Sequence, residues 1–164
     1  EYASRPPLAK IFYEDILMAA KFYGYPVLIE NNKYGIARYF ESRGYDHFLL
    51  NRPAHLTSNY GSKTKTKGIP SNSQDVIQAH AQAIESYIHA NVGLNEETLE
   101  FGKMYFERTL EDWVNFKIDD RTKYDLSISS GLALLAAQGP KQEKKKSDFK
   151  GKTFFRKGQI IIRR

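Results

Sequence analysis

Hydrophobic positions recur at helical spacing in several stretches of the chain. Across residues 10–23, Phe12, Ile16, Ala19 and Tyr23 share a face, Glu14, Asp15 and Lys21 lie on others, and Gly24 ends the pattern, so an amphipathic helix is expected. The run Tyr25-Pro26-Val27-Leu28-Ile29-Glu30 is continuously apolar and ends in a carboxylate, as expected of a parallel strand covered on both faces. Pro26, near its start, is tolerated there. A second helix is predicted over 33–43, with Ile36, Ala37 and Phe40 inward and Gly44 as its stop, then a short strand over 46–50. Residues 57–68 alternate Lys and Thr without apolar periodicity, which reads as a polar hairpin or loop. A long helix over 73–90 follows, with Ser71 and Gln74 at capping-box spacing and a stripe of Ile77, Ala81, Ile84 and Ile88. Further helices are predicted over 108–115, anchored by Leu110 and Trp113, and over 126–138, with Ile128, Leu132 and Leu135 inward and Gly139-Pro140 as the stop. Helix, buried strand, helix, strand, helices is the order of an α/β layered fold with a mainly parallel core. In such folds ligands sit beyond the carboxyl ends of the strands, where Glu30 falls.

Length and composition narrow this picture. The 164 residues fit one domain, and 41% hydrophobic content argues for a packed core. With no cysteine, disulfides, thiolate zinc sites and cysteine nucleophiles are excluded. No apolar run approaches the roughly 20 residues that span a bilayer, and the first residues lack the pattern of a signal peptide. The absence of an initiating Met suggests a piece of a longer chain. The net charge of +6 is unevenly spread: residues 141–164 carry 10 basic and 2 acidic residues, a net of +8, and residues 1–140 a net of −2. The chain thus divides into a domain over 1–140 and a basic tail over 141–164. Thr153-Phe154-Phe155 and Ile160-Ile161-Ile162 in the tail give a candidate terminal hairpin. Such a tail suits phosphate backbones, and equally a solvated terminus.

Phosphodiester hydrolysis requires an activated water and a neutralised leaving oxygen. Two divalent cations about 3.5–4 Å apart, held by carboxylates, supply both. Glu30, followed by Asn31 and Asn32, is the first candidate acid; its competing role is a surface contact with Lys33 or a cap on the next helix. Asp125 opens the 126–138 helix and is the second; Thr122 and Asp125 also have the spacing of a helix-start pair. Asp119 and Asp120 lie just upstream as weaker substitutes. His47, His55, His80 and His89 have no metal-ligand spacing, and there is neither a nucleophile turn nor a phosphate-binding glycine motif.

In order along the chain come Glu1-Tyr2-Ala3-Ser4-Arg5-Pro6, Val27-Leu28-Ile29-Glu30-Asn31-Asn32, Tyr34-Gly35-Ile36 with Tyr39-Phe40, Lys67-Gly68-Ile69, and Lys123-Tyr124-Asp125 opening an alanine- and leucine-rich helix. This set, over roughly residues 2–138, resembles the C-terminal nuclease domain of tailed-bacteriophage terminase large subunits. The resemblance implies an RNase H-like fold with a central mixed sheet flanked by helices. It implies an endonuclease that cuts concatemeric viral double-stranded DNA with Mg²⁺ or Mn²⁺, in the cytoplasm of an infected bacterium. By matching position Glu30 is the second metal-binding acid and Asp125 the third, while Lys63, Lys65 and Lys67 fall in a loop beside the DNA. The implied partners are the terminase ATPase domain, the small terminase and the portal. The first catalytic Asp of that family lies on a strand before the Arg-Pro segment, so the residues present are expected to hold an incomplete site. Two other classes compete: a non-catalytic DNA-binding or packaging-accessory module, and another RNase H-like nuclease of the junction-resolvase or transposase type.

Overall fold

The computed structural model describes residues 2–31, 34–53, 56, 66–70, 73–94, 98–138, 153–156 and 159–162. Its helices are α1 (Ala9–Tyr23), α2 (Gly35–Ser42), α3 (Gln74–Asn91), α4 (Glu107–Asn115) and α5 (Asp125–Ala137), with 3-10 turns at Asp46–Phe48 and Ile118–Lys123. The α1 helix ends at Gly24, whose left-handed backbone (φ 71°) lets its N–H reach the Ala20 carbonyl at 2.9 Å. Gly35 packs so closely on the Tyr13 hydroxyl that an added Cβ would overlap it, which fixes the start of α2 against α1.

Two apolar clusters form the core. Leu17, Ala20, Ala37, Phe40, Phe48 and Leu49 gather with Ile29, while Val76, Ala83, Leu132 and Leu135 gather with Leu28, Leu56 and Ile69. Consecutive residues Leu28 and Ile29 therefore enter different clusters, as the period of two in extended chain requires. The segment holding them lies between an α1/α2 layer and an α3/α5 layer. Full burial of each such side chain contributes about 1.5–3 kcal/mol.

Among the described residues the expected central mixed sheet of an RNase H-like fold is not formed. The structure is mostly helical, 61% helix against 7% strand, and the hydrogen bonds show why. Val27 N–H bonds Phe48 O at 2.7 Å and Leu50 N–H bonds Val27 O at 2.9 Å, one parallel bridge between Val27 and Leu49. Residues 66–69 then engage both segments: Gly68 N–H bonds Leu50 O at 2.8 Å, and the next N–H, of Ile69, bonds Ile29 O at 2.9 Å. Glu30 is bridged to Ile69 in parallel and Asn51 to Lys67 antiparallel, so no ladder runs on between the first two segments. Much of the expected 46–50 strand is also spent on the Asp46–Phe48 turn. At the C-terminus, β1 (Thr153–Arg156) and β2 (Gln159–Ile162) pair antiparallel, from Thr153 with Ile162 to Arg156 with Gln159.

Candidate functional site

Glu30 is held by main-chain bonds on both sides of it. Ile69 N–H donates to Ile29 O, and Asn31 N–H donates to Ile69 O at 3.0 Å, which leaves the Glu30 side chain at the surface. This arrangement depends on Gly68: its φ is 74°, and a Cβ there would stand 2.5 Å from Ile29 O. Asn31 Nδ2 adds a bond to Lys67 O at 3.4 Å. Lys67 itself is half-buried and donates from Nζ to Leu49 O at 2.9 Å, so this lysine ties the segment to its neighbour. Lys63 and Lys65 lie outside the described residues, as does His55.

Asp125 is the first residue of α5, where the helix dipole favours a negative charge. It forms an ion pair with Arg5; the two side chains are 66% and 88% exposed, so the pair adds little stability, and it sets the segment before α1 beside the start of α5. Asp120 instead pairs with Lys123 within the Ile118–Lys123 turn and raises the Lys123 pKa, first through that hydrogen bond. Among the described residues, no group of three or more His, Asp and Glu side chains could hold a metal. The carboxylates suit a hard cation in kind but fall short in number.

The expected Thr122–Asp125 cap is not what starts α5: Tyr124 occupies the N-cap position, without a side-chain bond. Asp112 of α4 takes that role from outside, its Oδ2 accepting from Ser127 N–H at 2.6 Å and from the buried Ser127 Oγ at 2.7 Å. Next to it, Trp113 Nε1 donates to Ser130 Oγ at 2.8 Å. Nothing local in sequence marks Asp112, because its partner lies 15 residues on. His80 is a packing residue, 3.1 Å from Ile128 O and pressed against Gly131; burial, foremost, lowers its pKa. His47 stacks on Phe48 with ring centres 4.6 Å apart. A cavity of about 260 Å³ lies between α3 and the segment after α4, walled by Ile84, Ile88, Phe116 and Ile118, and neither Glu30 nor Asp125 lines it. No described helix is long and apolar enough to cross a membrane. Comparison with family models, curated proteins and solved structures finds no match.

Proposed function

We propose that this chain is the metal-dependent DNA-cutting module of a viral DNA-packaging enzyme, with Glu30 and Asp125 as acids for Mg²⁺ or Mn²⁺. The proposal rests on where the acids lie and not on an RNase H-like sheet. The observation that carries it is the Arg5–Asp125 ion pair. The α1 helix covers roughly 22 Å, Gly24 reverses the chain, and residues 25–30 return over roughly 20 Å. Gly35, just after Glu30, accordingly meets Tyr13 in the first half of α1. On this reading Glu30 and the start of α1 share one end of the layered core, where Arg5 meets Asp125. When bound, the cations would supply an activated water and charge neutralisation at the leaving oxygen. The part of Glu30 and Asp125 is to hold them, and that of Arg5 is to balance Asp125 beforehand. The DNA of a replicating phage and the ATPase, small terminase and portal of the packaging machine are the partners this reading calls for.

The test is relaxation of supercoiled plasmid in Mn²⁺ and in Mg²⁺ by the full-length protein. Glu30→Gln and Asp125→Asn are expected to lower cutting by about 10²-fold or more, with unchanged circular dichroism and DNA affinity. Full cutting by both variants would remove these residues from the site.

A non-catalytic DNA-binding module is the second reading, favoured by the net charge of +8 over residues 141–164. It calls for salt-sensitive DNA binding by the full-length protein with no cutting in either metal.

A further inference from the structure

The α1 helix is apolar on two opposite sides. Leu17 and Ala20 face the core, at 1% and 4% exposure. On the outward side Ile11, Asp15, Met18 and Phe22 follow one another at steps of four, three and four, the a/d spacing of a helix-pairing seam, with Leu8, the extended N-cap residue, just before them. Leu8 is 63% exposed, Ile11 43%, Met18 37% and Phe22 72%. Together they present on the order of 400 Å² of apolar surface, within the range of the largest patch on an ordinary monomer, which is often functional. A helix apolar on both sides is one that folds into a covered position.

The charge at the centre of the seam determines what can cover it. Asp15 is the midpoint of the five positions and is its sole charged member; Tyr2 donates a 2.5 Å hydrogen bond to its Oδ2. A second copy of α1 laid parallel and in register would bring Asp15 against Asp15 between apolar residues, which like-charge repulsion opposes. We infer that the outward face of α1 docks an amphipathic helix of another protein or domain, one with Lys or Arg at the position facing Asp15 and apolar residues one turn to either side. The basic residue gives the pairing its register and its choice of partner, as single polar seam positions do in helix pairs.

The probe is a labelled synthetic peptide of three heptads with leucine at its a and d positions and arginine at the central a position, compared by fluorescence anisotropy with the same peptide carrying glutamate there. The chain is expected to bind the arginine peptide at least tenfold more tightly. Asp15→Lys should reverse that order and Asp15→Asn abolish the difference. Ile11→Ser and Phe22→Ser, both exposed, should weaken either peptide with no change in circular dichroism. Equal affinity for the two peptides, or none for the arginine peptide, overturns the inference. So does concentration-dependent self-association that Ile11→Ser or Phe22→Ser removes, which would make a second copy the occupant.

Discussion

At the scale of single residues, the contacts that decide the structure are close approaches between segments distant in sequence. His80 of α3 presses on Gly131 of α5 and shares Ile128 O, so the imidazole fills the space where a larger residue would keep the helices apart. Burial lowers the His80 pKa in the folded chain, whereas the unfolded chain takes up a proton near the ordinary value of about 6.5. Above that pH both states are neutral at His80 and its packing contributes in full. As pH falls below about 6.5 the unfolded state alone gains the proton, and stability declines until the lowered folded pKa is passed. Urea midpoints between pH 7 and 5 should therefore fall more steeply for the native chain than for His80→Gln, which has no proton to take up there. Parallel slopes would show that His80 is not what is protonated on unfolding. The sequence marked His80 as a packed or exposed histidine without metal-ligand spacing, but its partner was not legible, since Gly131 lies 51 positions away and glycine leaves no periodicity to read.

Helices were legible in their existence and less so in their orientation. The predicted spans 10–23, 33–43, 73–90, 108–115 and 126–138 lie within two residues of α1 to α5 at each end, because glycine stops and 3.6-residue spacing are local signals. Buried faces depend on neighbours. In α1 the expected Ala19 and Tyr23 are exposed while Leu17 and Ala20 are buried, since apolar residues on two sides leave the pattern undecided. In α3 only Ile84 of the expected stripe is fully buried, joined by Val76, His80 and Ala83, the face that meets α5. The start of α5 makes the same point energetically. Asp112→Ala would leave the Ser127 N–H and its buried hydroxyl without their acceptor, a loss of about 1–3 kcal/mol. Thr122→Ala, which removes an exposed side chain with no capping bond, should stay within about 0.5 kcal/mol. Chemical denaturation of the two variants checks this; equal losses would mean that Asp112 does not serve as the cap.

At the scale of the whole molecule, local patterns predicted a layered α/β domain, and what formed is a layered helical one. Both faces of the 27–30 segment are covered as its apolar run implied, but one bridge joins it to the next segment before residues 66–69 engage both. Pairing register is a long-range property, and a polar run without periodicity gave no sign of that insertion. The candidate acids were legible as residues; the tie from Asp125 to Arg5, across 120 positions, was not. Charge, by contrast, can be read along the whole chain without the fold. Residues 1–140 carry a net −2 and residues 141–164 a net +8, so backbone affinity for DNA is expected to reside in the tail, whichever reading of Glu30 and Asp125 holds. Each neutralised phosphate adds about 0.9 to the slope of log K against log salt concentration. Ending the chain after Gln138 keeps α5 whole and removes ten basic residues, so that slope should flatten by roughly 4 or more in anisotropy titrations with duplex DNA. An unchanged slope would place the DNA-binding surface within the first 138 residues, against their net charge, and would make Lys63, Lys65 and Lys67 the next residues to neutralise.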